Sequence, residues 1–516
     1  MKKAAKRIFW NALLLTAATL LVRTVSVTFG VYISNLAGAE AMGLFSLMAG
    51  VYGFALTLAT SGIHLGVTHT VVEAVEDGKG ARVRTVMRRA VAYALGFGTL
   101  AAVLLIGLAH PIGLYWLKDA RTVTSLRLFG VTLPLIALSS AMGGYFTAVR
   151  RTYKSAAVQV AEQGVKILAT MYLLAALSGG GVERTLCALV LGGALAEISS
   201  FLINLTLYLL DRHRHFERGE DVERTHEGRK LLKIALPVAL ASYVRSGLIT
   251  LEHVLIPEGL RNSGSSHAAA LAAYGSIQGM ALPIILYPAA LISAFSGLLV
   301  PELAECRVKG SGCRIRYMIS RVWWLALLFS IGVAGILVCF SAEIGEALYP
   351  NTDTGYYIRL LAPLIPIMYV DTATDAMMKG LGEQVYSMNV NILDALISVV
   401  LVWLLVPRMG IVGYLVTVYF SETFNTVLSI TRLLSMSQTR VRLIKWVYKP
   451  LVSVVGATCA ARAFFSLTPL SRIPIGWSVV LHCTLTLGLY LLLLVLTGCL
   501  DREDRAWVAT LFARKA

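Results

Sequence analysis

Arg23 stands in the middle of "LLLTAATLLVRTVSVTFGVYI", a run from Leu13 to Ile33 that is otherwise uncharged. Arg245 stands in a second apolar run, in "SYVRSGLITLEHVL". A guanidinium in apolar surroundings is tolerated against a carboxylate or in a watered cavity, and it binds phosphate oxygens through paired hydrogen bonds. Carboxylates also occur in apolar runs. Glu162 follows Gln159 by three residues, Asp394 follows Asn391 by three, and Glu252 lies seven beyond Arg245. A spacing of three puts amide and carboxylate on one helical face. Such oxygen-bearing groups suit Na⁺ or a transferable proton, so Gln159, Glu162, Glu252, Asn391 and Asp394 are candidates for ion coupling. The plainer reading is that polar groups bond neighbouring helices.

The elements that position these residues are membrane helices. The chain of 516 residues is 57% hydrophobic and 15% charged, against about 25% charged in a soluble protein. Apolar runs recur throughout, and about 20 helical residues cross a bilayer core. Fourteen spans are expected, at about 8–34, 41–72, 90–117, 124–149, 155–178, 183–210, 231–256, 269–304, 322–349, 356–378, 387–407, 411–434, 451–470 and 475–499. The basic start "MKKAAKRIFWN" precedes an apolar stretch too long for a signal peptide, so the first helix is expected to be retained.

The net charge of +17 comes from topology. With the N-terminus inside, about 34 of the 46 Lys and Arg fall on the inner side and about 7 outside. Both termini are expected in the cytoplasm, and no nucleic-acid partner is implied. The seven cysteines form no disulfide or zinc pattern, and His213 and His215 read as solvated. No metal site is expected.

A shift of 232 residues superimposes the two halves of the sequence. Gly43 meets Gly275, Glu73 meets Glu305, Pro134 meets Pro366 and Ser155 meets Ser387. Arg82, Arg84, Arg89 and Arg127 meet Arg314, Arg316, Arg321 and Arg359. Hydrophobic periodicity does not align charges in this way. In the first span "LVRT" aligns with "YVRS" at a shift of 222, so Arg245 is the counterpart of Arg23. Six spans per repeat is an even number, so both halves enter the membrane in one direction.

The expected fold class is an all-α polytopic membrane protein. Two parallel six-helix bundles are related by a pseudo-twofold axis, and two C-terminal helices are added. The parts are an N-terminal bundle at 1–210, a cytoplasmic basic linker at 211–230, a C-terminal bundle at 231–434, and two extra helices with a cytoplasmic tail at 435–516. That plan suits carriers that rock two bundles about a central site. Arg23 and Arg245 would make that cavity electropositive and suited to pyrophosphate. A buried ion pair with Glu162, Glu252 or Asp394 is the alternative.

"GAEAMGLFSLMAGVYGFALTLATSGIHLGVTHTVVE", Gly38 to Glu73, resembles the second-span motif of the stage V sporulation protein B-like family. These are polysaccharide and lipid-linked oligosaccharide transporters of the multidrug/oligosaccharidyl-lipid/polysaccharide exporter superfamily. "GGYFTAVRRTYKSAAVQVAEQGVKI", Gly143 to Ile167, resembles their fourth-to-fifth-span motif. The resemblance covers about residues 8–440. It implies a flippase, not an enzyme, that moves an undecaprenyl-pyrophosphate-linked sugar across the bacterial cytoplasmic membrane. The related lipid II flippases carry several arginines in their first, second and eighth spans. Here the first carries Arg23, and the second and eighth carry none. Partners would be the lipid-linked oligosaccharide and bilayer lipids, with no cofactor beyond Na⁺ or H⁺ as coupling ion and a monomer as the working state.

Two other transport readings compete. A cation-coupled multidrug exporter shares the superfamily fold, but it calls for a carboxylate-lined site rather than paired arginines. A major facilitator carrier also has six-plus-six spans, yet "EDGKGARVRTVMRR" lacks that family's loop pattern.

Overall fold

The computed structural model describes residues 2–60, 62–76, 80–177, 181–215, 227–350, 352–439, 441–467 and 474–499. Most of the predicted linker and the tail beyond 499 lie outside them, as do the side chains of His213 and His215. Described residues are helical almost throughout, with no strand among them. The first half holds α1 (Lys2–Thr60), α2 (Ile63–Glu76), α3 (Gly80–Pro111), α4 (Thr122–Ala148), α5 (Thr152–Ala176), α6 (Gly181–His215) and α7 (Glu227–Asn262). Then follow α8 (His267–Gly275), α9 (Leu282–Leu286), α10 (Ala289–Val308), α11 (Gly312–Cys339), α12 (Ser341–Leu348), α13 (Thr354–Leu361) and α14 (Ile365–Gly380). The chain ends with α15 (Gln384–Met409), α16 (Ile411–Ser437), α17 (Lys449–Leu467) and α18 (Ile475–Leu496).

Ten helical runs among the described residues are long and apolar enough to cross a membrane by length and composition. Several expected spans contain a break. α1 covers the first span and part of the second, and it bends at Gly38, where φ is +81°. The second span breaks again at Gly62, with φ of +78°. The eighth passes through a wide turn at 276–281 and breaks before Pro288. The tenth narrows at Ala362–Leu364, followed by Pro366. Proline cannot donate its backbone hydrogen bond, so prolines account for the last two breaks.

The helices sort into two compact units, Met1–Gly275 with Ala395–Gly410, and Ser276–Asp394 with Ile411–Ala516. In the first, α3 packs along α4, α5 along α6, and α1 against α7 and α8. In the second, α14 packs against α10, α11 and α16, and α17 lies beside α18 and α11.

The repeat is visible in backbone detail. α4 ends with Arg150 at φ +57°, and α14 ends 232 residues later with Gly382 at φ +71°. Arg151 N–H donates to Phe146 O at 2.8 Å, and Glu383 N–H donates to Met378 O at 2.9 Å. Val149 N–H and Leu381 N–H donate to Tyr145 O and Met377 O at the same offset. Both are left-handed caps of the kind that satisfies a helix's last carbonyls.

A second symmetric feature is the contact of α1 with α8. A Cβ on Gly43 would lie 2.0 Å from Leu271 O, and one on Gly275 would lie 2.1 Å from Ala39 O. Residues 39 and 43 stand 232 before 271 and 275. Each glycine therefore meets the partner's equivalent of its own neighbour. Such a self-complementary contact belongs to a twofold relation.

Candidate functional site

Arg23 lies on the first arm of α1, and Arg245 lies on α7. Both side chains are exposed. α7 is fixed against α1 by polar contacts close to Arg245. Tyr243 OH donates to Leu58 O, Thr57 donates to Ser246 Oγ at 3.2 Å, and Thr250 donates to Gly50 O at 3.0 Å. These residues make one face of α7. At about 100° per residue, Arg245 and Glu252 fall together on the opposite face, about 10 Å apart along the axis. Arg23 and Glu252 each engage a partner.

Two of the in-span carboxylates accept hydrogen bonds from neighbouring helices. Glu162 Oε2 on α5 accepts a 2.8 Å hydrogen bond from Ser200 on α6. Glu197, one turn before Ser200, lies within electrostatic range of Glu162. Asp394 Oδ1 on α15 accepts a 2.6 Å bond from Ser421 on α16, and Glu422 is its electrostatic neighbour. Gln159 is exposed. The Asn391 amide donates to Ser387 O at 2.7 Å, and Ser387 donates to Asp375. A carboxylate pair thus recurs between the fifth and sixth spans of each repeat. Glu197, like Glu162, is a carboxylate in an apolar run, but its position in the second repeat is Ser429, so the repeat did not single it out.

An ion-pair cluster that the sequence did not reveal closes one end of the first unit. Asp119 follows α3 and is buried, with its side chain 7% exposed. Arg121 Nε donates to it at 2.9 Å, and Arg121 Nη2 reaches Glu40 at 2.9 Å. His267 Nε2 at the start of α8 lies 3.5 Å from Asp119, and Lys118 pairs with Glu258 of α7. Four separate stretches of chain therefore meet in one charged network.

Burial pushes the Asp119 carboxyl up, but hydrogen bonds and charge from Arg121, aided by His267, outweigh it and hold the group below the usual carboxylate range. A folded-state value below the unfolded one, about 3.9, stabilises the protein above that pH. The contribution is lost as pH falls through the lower folded value. Asp119→Asn is expected to remove this acid-side loss. Melting temperature measured from pH 6 downward checks it. An unchanged acid limb would show that Asp119 does not carry the effect.

Residues 8–298 match the family described as polysaccharide biosynthesis protein, and residues 263–404 match the MatE family. Stage V sporulation protein B of Bacillus subtilis (strain 168) is 23% identical over 444 residues, which are 83% of this chain and 85% of that one. Among solved structures, the lipid II flippase MurJ in an inward closed conformation has a TM-score of 0.69 at 11% identity. The likeness covers 94% of this chain and 99% of that one. An inward-facing multidrug resistance MATE family transporter of the MOP superfamily has a TM-score of 0.59 at 15% identity, over 82% and 100% of the two chains. With more than half of its length inside the first of these matches, this multi-pass membrane protein belongs to the polysaccharide biosynthesis protein family and has the fold of MOP-superfamily transporters.

Proposed function

We propose that the protein is a flippase of the bacterial cytoplasmic membrane that carries an undecaprenyl-pyrophosphate-linked sugar from the inner to the outer leaflet by alternating access. The observation that carries this reading is the pair Arg23 and Arg245. They sit on the equivalent first helix of each repeat, in apolar runs, with exposed side chains. Two guanidiniums match the charge and the bidentate geometry of a pyrophosphate. The match to the polysaccharide biosynthesis protein family and the fold shared with a lipid II flippase support the same substrate class.

In this reading the headgroup rests on the arginines while the polyprenyl tail stays in the bilayer. The pairs Glu162–Glu197 and Asp394–Glu422 take up Na⁺ or a proton. Like charges this close repel, and a shared cation removes the repulsion. The network at Asp119, Arg121, Glu40 and His267 closes the outer end, with both termini in the cytoplasm.

Flipping of a fluorescent polyprenyl-pyrophosphate sugar in proteoliposomes tests the proposal. Arg23→Ala and Arg245→Ala are each expected to slow it at least tenfold, the scale of one lost charge-assisted hydrogen bond. Wild-type rates in both variants would remove the arginines from the site. A second reading, a cation-coupled multidrug exporter, is favoured by the MatE match and the carboxylate pairs. Drug efflux without flipping would establish it instead.

A further inference from the structure

A cavity of about 310 Å³ in the second unit lies where α11 ends, among Ser341, Glu343, Arg359, Thr458 and Arg462. None of these residues belongs to the transport site proposed above. α17, which carries Thr458 and Arg462, lies outside the 232-residue repeat. Arg462 is the one charged residue in the expected span 451–470.

Arg462 Nη2 donates to Cys339 O, the carbonyl end of α11, and its guanidinium stands 5.8 Å from the Phe340 ring centroid. Those two contacts orient the plane of the group. A guanidinium has five N–H donors, so most of them stay available to a ligand. Arg359 is exposed on the cavity wall and makes no hydrogen bond or ion pair among the described residues. On the same wall, Glu343 Oε2 is buried and lacks a hydrogen-bond donor. Two cations and one acceptor awaiting a donor define the ligand, a phosphate ester that also bears hydroxyl groups; the Ser341 and Thr458 hydroxyls donate to Val338 O and Val454 O and are left to accept.

The surface leading from the cavity indicates where such a ligand comes from. Val455, Cys459 and Arg462 share one face of α17 by their spacing of four and three. Val455 is 55% exposed, and Val452, one turn further, is 48% exposed. An apolar track therefore runs from the cavity along the helix into the membrane, as an acyl chain requires. A soluble anion would have no use for it.

We propose that this cavity is a binding site for an anionic phospholipid, with its phosphate on Arg359 and Arg462 and its hydroxylated headgroup toward Glu343. The site lies apart from Arg23 and Arg245, so its failure would leave the flippase reading untouched.

Native mass spectrometry of the purified full-length protein with phosphatidylglycerol or phosphatidylcholine tests the site. Arg359→Gln breaks no contact within the protein and is expected to lower bound phosphatidylglycerol roughly tenfold, since a hydrogen bond to a charged group contributes about 1.5–3 kcal/mol. Arg359→Gln with Arg462→Gln is expected to abolish the preference for phosphatidylglycerol while phosphatidylcholine binding stays constant. Arg359→Lys should retain part of it. Equal retention of phosphatidylglycerol by wild type and Arg359→Gln would overturn the proposal, as would parallel loss of both lipids. Displacement by inorganic phosphate at concentrations well below those of the lipid would assign the cavity to a soluble anion and overturn the lipid assignment.

Discussion

Alanine at Gly43 or at Gly275 is expected to destabilise the protein by about 1–3 kcal/mol, the usual cost of overpacking, with larger side chains preventing assembly. The added Cβ would lie 2.0 Å from Leu271 O in the first case, and 2.1 Å from Ala39 O and 2.5 Å from Gly43 N in the second. These are backbone atoms, so no rotamer change relieves the clash. α1 and α8 must separate, and close helix contact through small residues is what holds membrane helices together. The two glycines occupy equivalent places in one self-complementary contact, so their effects are coupled. Once the first alanine has parted the helices, the second meets less resistance, and the double variant should cost less than the sum of the singles. Thermal melting of the detergent-solubilised protein measures all three. A double variant equal to the sum would mean that the two positions act independently and that the symmetric contact is not their common cause.

That contact shows how far the sequence could be read. The match of Gly43 with Gly275 was visible as a repeat, and hydropathy located the spans because a bilayer demands long apolar helices. Neither told that the two glycines touch. Equivalent residues of two repeats meet only where they lie at the pseudo-axis, and a linear alignment does not contain that position. The breaks at Gly62 and at Phe340 were hidden for a related reason. A helix can stop and restart inside the membrane with no change in composition, provided that neighbouring groups satisfy the freed backbone.

Polar clusters were legible one residue at a time. Glu162 and Asp394 stood out as charges in apolar runs, and their repeat positions match. Their partners did not stand out, because a serine in a membrane helix is common. Asn391 is expected to act beside Asp394, and its NH2 also bonds the backbone of its own helix, an outcome open to any asparagine with a carbonyl one turn away. The network of Asp119, Arg121, Glu40 and His267 draws on three chain segments, each of which reads as an ordinary polar connection.

The turn after the fourth span of each repeat shows what a residue-by-residue comparison misses, and it yields the second large effect. In the first repeat Arg151 of this turn pairs with Asp211 of α6, joined by Lys154 at 2.6 Å and by Tyr145, whose hydroxyl donates at 2.8 Å. In the second repeat the equivalent of Arg151 is Glu383, and it pairs with Arg432 of α16 through bonds of 3.0 and 2.8 Å. The turn residue keeps an ion pair to the sixth span of its repeat with its own sign exchanged, although Arg432 stands at the position of Ser200 rather than of Asp211, so an alignment records only mismatches. The two versions should differ in strength. The Asp211 side chain is 2% exposed, and Asp211→Ala leaves Arg151 and Lys154 without their shared counter-ion. Breaking a buried pair costs about 3–5 kcal/mol. The lower end applies here, because Arg151 and Lys154 keep 27% and 16% of their side-chain surface in solvent. Arg432 is 41% exposed, so Glu383→Ala should cost about 1 kcal/mol, near the value of a surface pair. Exchanging the second joint, Glu383→Arg with Arg432→Glu, should restore most of what either single change loses, because pairing rather than sign is what the turn requires. Urea or thermal unfolding of the wild type and these five variants decides it. An exchanged variant no more stable than the worse of its two single changes would show that the sign at this joint is fixed by something other than the pair.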